Sequence, residues 1–149
     1  MTRTLSLAAA IIGSLLFTSV ARADPGDLAS RCIEAIQEIT QATRQRIHEA
    51  TAAGVHQIQR LDAQGASDRE LRQAAALSVR HITSIAEAGH RRIHRVAEEC
   101  IEQLQDMGAR PALVQAVRHA AESGHDAIST AADRGRTAIH EALQAALDD

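Results

Sequence analysis

An eleven-residue rhythm of small and aliphatic side chains runs along most of this chain. When each unit is started at a small residue or a cysteine, an aliphatic residue follows four positions later. The first stretch gives Cys32–Ile36, Thr43–Ile47 and Gly54–Ile58. The second gives Ser67–Leu71, Ser78–Ile82, Gly89–Ile93 and Cys100–Leu104. The third gives Leu113–Val117, Gly124–Ile128 and Gly135–Ile139, with Leu113 the one bulky starter. A further apolar residue often falls three positions on, at Ile39, Leu61, Ile85 and Val96. Eleven residues close three helical turns at about 3.67 residues per turn, so these positions form one narrow stripe. That period favours straight or slightly right-handed supercoiled helices. No convincing period-two run occurs, which excludes strands.

The rhythm slips twice, and turn chemistry sits at both slips. Gly65, in Asp62-Ala63-Gln64-Gly65-Ala66, suits a left-handed helix stop, and Ser67 with Glu70 reads as a capping box for the next helix. In Met107-Gly108-Ala109-Arg110-Pro111, Gly108 is the stop and Pro111 fits a first helical position. Asp24-Pro25-Gly26-Asp27 offers a comparable start. The spacing therefore predicts an all-α fold, a single antiparallel three-helix bundle with long helices over 27–63, 68–107 and 111–147.

The residues before this pattern have a different character. Arg3 precedes an apolar stretch from Leu5 to Val20, and Ala21-Arg22-Ala23 is an A-x-A cleavage site. Residues 1–23 thus read as a secretory signal peptide and 24–149 as the bundle domain, secreted or periplasmic. An uncleaved N-terminal anchor is the alternative. No later segment is apolar enough to span a bilayer.

Composition narrows the function classes. All 16 basic residues are Arg, and two of them, Arg3 and Arg22, leave with the leader, taking the net charge from −3 to −5. A net-acidic chain lacks the concentrated basic surface that nucleic acid requires. The only Phe, Phe17, also leaves, and Trp and Tyr are absent, so nothing but His remains to stack on a base or a sugar. Large aliphatic side chains make up only about a fifth of residues 24–149, close to the composition at which chains stay disordered. Periodicity decides for folding.

Gly54, Gly89, Gly124 and Gly135 all fall on the innermost repeat position. Glycine there costs about 1 kcal/mol relative to Ala in a helix, so the stripe points to close helix approach, with a hinge as the alternative. Cys32 and Cys100 occupy the same position, and folding the first two helices back about residues 65–66 sets them at one height. In an oxidising compartment they are expected to form a disulfide, free or intermolecular thiols being the alternative.

Eight histidines are present, at 48, 56, 81, 90, 94, 119, 125 and 140. His90 and His94 are spaced to share a helix face and chelate Zn²⁺, Cu²⁺ or Ni²⁺. Folding the last two helices back about residue 109 brings His94 level with position 124, beside His125. His90, His94 and His125 are therefore the candidate metal ligands, and a Zn²⁺ or Cu²⁺ ion the one cofactor considered. Against that site, His94 lies on the outer side of the repeat and His90 only on its flank, Arg91, Arg92 and Arg95 crowd it with positive charge, and solvated surface histidines are the alternative. His81 and His140 match in height more weakly. Glu87–Arg91 and Arg95–Glu99 can pair along an exposed face.

No catalytic motif accompanies these residues: G-x-S-x-G, H-E-x-x-H, a Gly-rich phosphate loop and C-x-x-C-H are all absent. The eleven-residue period is similar to that of exchangeable apolipoproteins and late-embryogenesis-abundant proteins, in period alone. Their Lys-rich repeats lack a fixed Ile beside a small-residue seam, so the resemblance implies nothing about function. The expectation is a non-enzymatic exported bundle serving as a scaffold, a partner-binding module for a protein partner or a stress-protective module. A periplasmic His-mediated metal binder is the first alternative, and reversible lipid-surface attachment the second.

Overall fold

A computed structural model describes residues 24–148, and the leader expectation lies outside them. Three helices occupy almost all of that span: α1 (Pro25–Ala63), α2 (Asp68–Asp106) and α3 (Pro111–Asp148). At 1.5 Å per residue, each is about 57 Å long. The three pack against one another as an all-α bundle, and no strand occurs among the described residues.

Local chemistry sets each boundary. The Asp24 carboxylate accepts the Gly26 N–H at 3.3 Å and Pro25 takes the first turn, so α1 begins two residues before the position that periodicity suggests. It ends in a Schellman motif: Ala66 N–H donates to Leu61 O at 3.0 Å and Gly65 N–H to Asp62 O at 2.8 Å, with Gly65 at φ 72°. The second connection repeats this arrangement. Ala109 N–H reaches Leu104 O at 2.9 Å, Gly108 N–H reaches Gln105 O at 2.9 Å, and Gly108 lies at φ 66°. The alanine after each glycine packs against the core, so each turn is pinned at both ends.

The capping box at α2 takes a modified form. The Glu70 carboxylate accepts both the Ser67 N–H at 2.8 Å and the Ser67 hydroxyl at 2.7 Å. These two bonds, the hydroxyl first, hold the Glu70 carboxyl below its ordinary value.

The core follows the eleven-residue rhythm. Ile36, Ile47, Ile58, Ile82, Ile93, Leu104, Val117, Ile128 and Ile139 are the largest fully buried side chains, and all nine stand four residues after a unit start. Their packing alternates between two kinds of layer. In one kind, Gly89 of α2 meets Thr43 of α1 and Ile128 of α3, and Gly54 of α1 meets Ser78 of α2 and Ile139 of α3. In the other, Gly124 of α3 meets Ile36 of α1 and Ile93 of α2, while Gly135 meets Ile47 and Ile82. Two small residues and one Ile thus alternate with two Ile and one glycine. Each layer sets small residues against bulky ones, which lets the helices interdigitate without aromatic side chains.

Hydroxyls finish the seam. A Cβ built on Gly54, Gly89, Gly124 or Gly135 would come within 2.7 Å of the hydroxyl of Ser78, Thr43, Thr40 or Thr51 respectively, so these glycines mark close helix approach. Each hydroxyl is satisfied inside its own helix by donating to the carbonyl four residues back, at 2.7–3.0 Å. Thr43 is the one buried polar residue among those described, and no buried side-chain nitrogen or oxygen there lacks a partner.

Cys32 and Cys100 are joined, with sulfurs 2.08 Å apart and Cα atoms 6.2 Å apart. The expected register of the first hairpin is therefore the observed one. No disulfide ties α3 to the other two helices.

Candidate functional site

Six of the eight histidines stand exposed, and only His90 and His125 are half-buried. Each directly follows a seam glycine, Gly89 on α2 and Gly124 on α3. Ile128 of α3 seats on Gly89 and Ile93 of α2 seats on Gly124, and the two antiparallel helices bring the adjacent imidazoles together. Their Nδ1 atoms are 2.7 Å apart, their ring centroids 5.0 Å apart, and the planes meet at 28°.

Two facing Nδ1 atoms at that distance share a single proton, one nitrogen donating and the other accepting. Protonating both would set two N–H groups against each other. The charged form of His125 is disfavoured accordingly: burial lowers its pKa most, followed by the charges of His90 and His94, while Asp126 pulls in the opposite direction. His125 therefore favours its neutral imidazole, the form that binds a metal.

His94 behaves differently. Its Nε2 lies 3.1 Å from Glu98 Oε1, and that side chain is two-thirds exposed. The structure thus brings two of the three candidate ligands together and leaves His94 paired along its own helix. Among the described residues, no three His, Cys, Asp or Glu side chains converge to hold an ion. Helix phase explains the partition. His90 follows the seam glycine Gly89 directly, whereas His94 follows the fully buried Ile93 and lies exposed beside Glu98. Matching heights sets His94 beside His125, whereas in the structure His90 faces it. His81 and His140 are both exposed.

Of the two surface ion pairs the spacing suggests, Glu87–Arg91 closes at 3.7 Å. Arg95 and Glu99 do not approach within ion-pair distance, as fits solvated pairs of small energy. The other notable surface is an open groove between α1 and α3. Gln37, Gln41, Arg44, Gln45, His119 and Arg134 are among its lining side chains. A signal for the groove was present in the small outward residues of α3, Ala116, Ala120, Ser123, Ala131 and Ala138, which leave room beside the longer side chains of α1.

Fold and surface together define a disulfide-linked antiparallel three-helix bundle with a cross-helix histidine pair. Comparison with protein-family models, with curated proteins and with solved structures found no match for this chain.

Proposed function

We propose that this chain is an exported, non-enzymatic bundle that works through its outer surface as a scaffold or partner-binding module. One observation carries the reading. The interior is given over to aliphatic and small side chains, with Thr43 the only buried polar residue described, and its hydroxyl is already bonded. Recognition is therefore assigned to the surface. The Cys32–Cys100 disulfide supports an oxidising compartment.

The α1–α3 groove is the face we assign to the partner. Gln37, Gln41 and Gln45 offer hydrogen bonds, and Arg44 and Arg134 offer charge. Among the described residues, neither arginine has a carboxylate within ion-pair distance. An acidic protein segment is the complementary occupant. A photo-crosslinking residue placed at Gln41 should capture one defined protein in the native exported environment, while the same group at the exposed Arg80 of α2 should not. Equal labelling from both positions would sink the assignment.

A further inference from the structure

From the paired imidazoles of His90 and His125, we infer a cross-helix site for a divalent transition-metal ion of square-planar preference, Cu²⁺ foremost, which fastens α3 to α2. This goes beyond the surface reading above and stands independently of it.

The separation of the nitrogens carries the argument. Ligand nitrogens about 2.0–2.1 Å from a metal lie about 2.9 Å apart when they subtend a right angle, and about 3.3 Å apart at the tetrahedral angle. The Nδ1 atoms stand at 2.7 Å, so replacing the shared proton by an ion opens the pair least for a square-planar centre. Cu²⁺ takes that geometry and also binds nitrogen ligands most tightly among the first-row divalent ions. On binding, the proton between the rings moves through water to Nε2 of the same imidazole. Both Nδ1 lone pairs then face the metal, with no net proton released from a neutral pair. Water fills the remaining positions.

The surroundings both help and oppose. Ile128 of α3 seats on Gly89 and Ile93 of α2 seats on Gly124, which fixes how these two helices lie against each other, so little ordering remains to be done by the ion. Glu87 accompanies Arg91, Glu98 accompanies His94, and Asp126 adjoins His125, which offsets part of the local positive charge. Arg92 and Arg95 stay exposed on α2 and weaken attraction for a cation. The structural consequence is specific: the disulfide ties α1 to α2, and the ion ties α2 to α3.

The test uses the purified, disulfide-bonded protein, stripped with EDTA and titrated with Cu²⁺ in the presence of glycine, a weak competitor that suppresses binding at solvated histidines. One equivalent should bind with two imidazole nitrogens visible in the electron paramagnetic resonance spectrum, and it should raise the melting temperature. His90→Ala and His125→Ala, each checked for wild-type helicity in EDTA, should weaken that event at least about tenfold and abolish the thermal shift. His94→Ala should retain both. Loss in His94→Ala equal to that in His90→Ala, or equal binding by all variants, overturns the site. A second measurement needs no variant: substoichiometric Cu²⁺ should broaden the ring signals of His90 and His125 before those of the other six histidines. Broadening that begins elsewhere, or spreads evenly, overturns the site as well.

Discussion

Residue size at the seam sets how closely the helices of this bundle approach. A methyl group added at Gly89 would lie 2.5 Å from Thr43 Cγ2 and 3.0 Å from Ile128 Cδ1. Thr43 is β-branched, buried and bonded through its hydroxyl to Ile39 O, so it has no free rotamer with which to yield. Alanine is favoured over glycine by about 1 kcal/mol within a helix, whereas overpacking costs about 1–3 kcal/mol. The clash is expected to win, because backbone stands behind the Thr43 side chain. Gly89→Ala should thus lower stability by about 1–2 kcal/mol in urea denaturation. Adding Thr43→Ala to it should recover part of the loss. A stabilised single variant would mean that the helices can separate there at little cost, as a hinge requires.

At the scale of elements, the helix ends are specified locally and the capping carboxylate of α2 can be titrated. Glu70 is held below its ordinary value by the Ser67 hydroxyl and N–H. A depressed carboxyl pKa means that the unfolded chain takes up the proton first as pH falls. The contribution of Glu70 is therefore complete above about pH 4.5 and lost as pH drops through the folded value. Glu70→Gln should lie below the wild type in urea midpoint at pH 7, and the difference should shrink by pH 3. A difference that persisted unchanged at pH 3 would show that the carboxylate charge has no part in the cap. The two Schellman turns act with this cap: Gly65 and Gly108 fix where each helix stops, and four-residue connections leave neighbouring helices no choice but to run antiparallel.

For the whole molecule, the disulfide acts mainly on the unfolded chain. It joins residues 68 apart in sequence, and in the chain-entropy account a loop of that length is worth about 4 kcal/mol. The aliphatic core is thin, so that contribution is a large share of a stability that typically totals 5–15 kcal/mol. Reduction should lower the melting temperature by many degrees while far-UV circular dichroism stays helical in the cold. A Cys32→Ser, Cys100→Ser variant should match the reduced protein and show no further response to dithiothreitol. An unchanged melting temperature on reduction would contradict the account.

The sequence by itself determined the helices, their ends and the first hairpin's register. These rest on short-range rules: an eleven-residue stripe, glycine at two left-handed turns, and Pro or Ser-x-x-Glu at helix starts. Cys32 and Cys100 could be matched across the fold because one short turn relates their heights. Tertiary structure alone decided how the layers are shared out. Small residues of α1 and α2 meet an Ile of α3, and one step along a glycine of α3 meets two Ile, so that small residues face bulky ones in each layer. It also chose His90 over His94 as the neighbour of His125. Two histidines one turn apart on a helix differ by a rotation about its axis. The repeat sets His94 further out than His90, but which of them meets His125 is settled by how Gly89 and Ile93 seat against the other two helices.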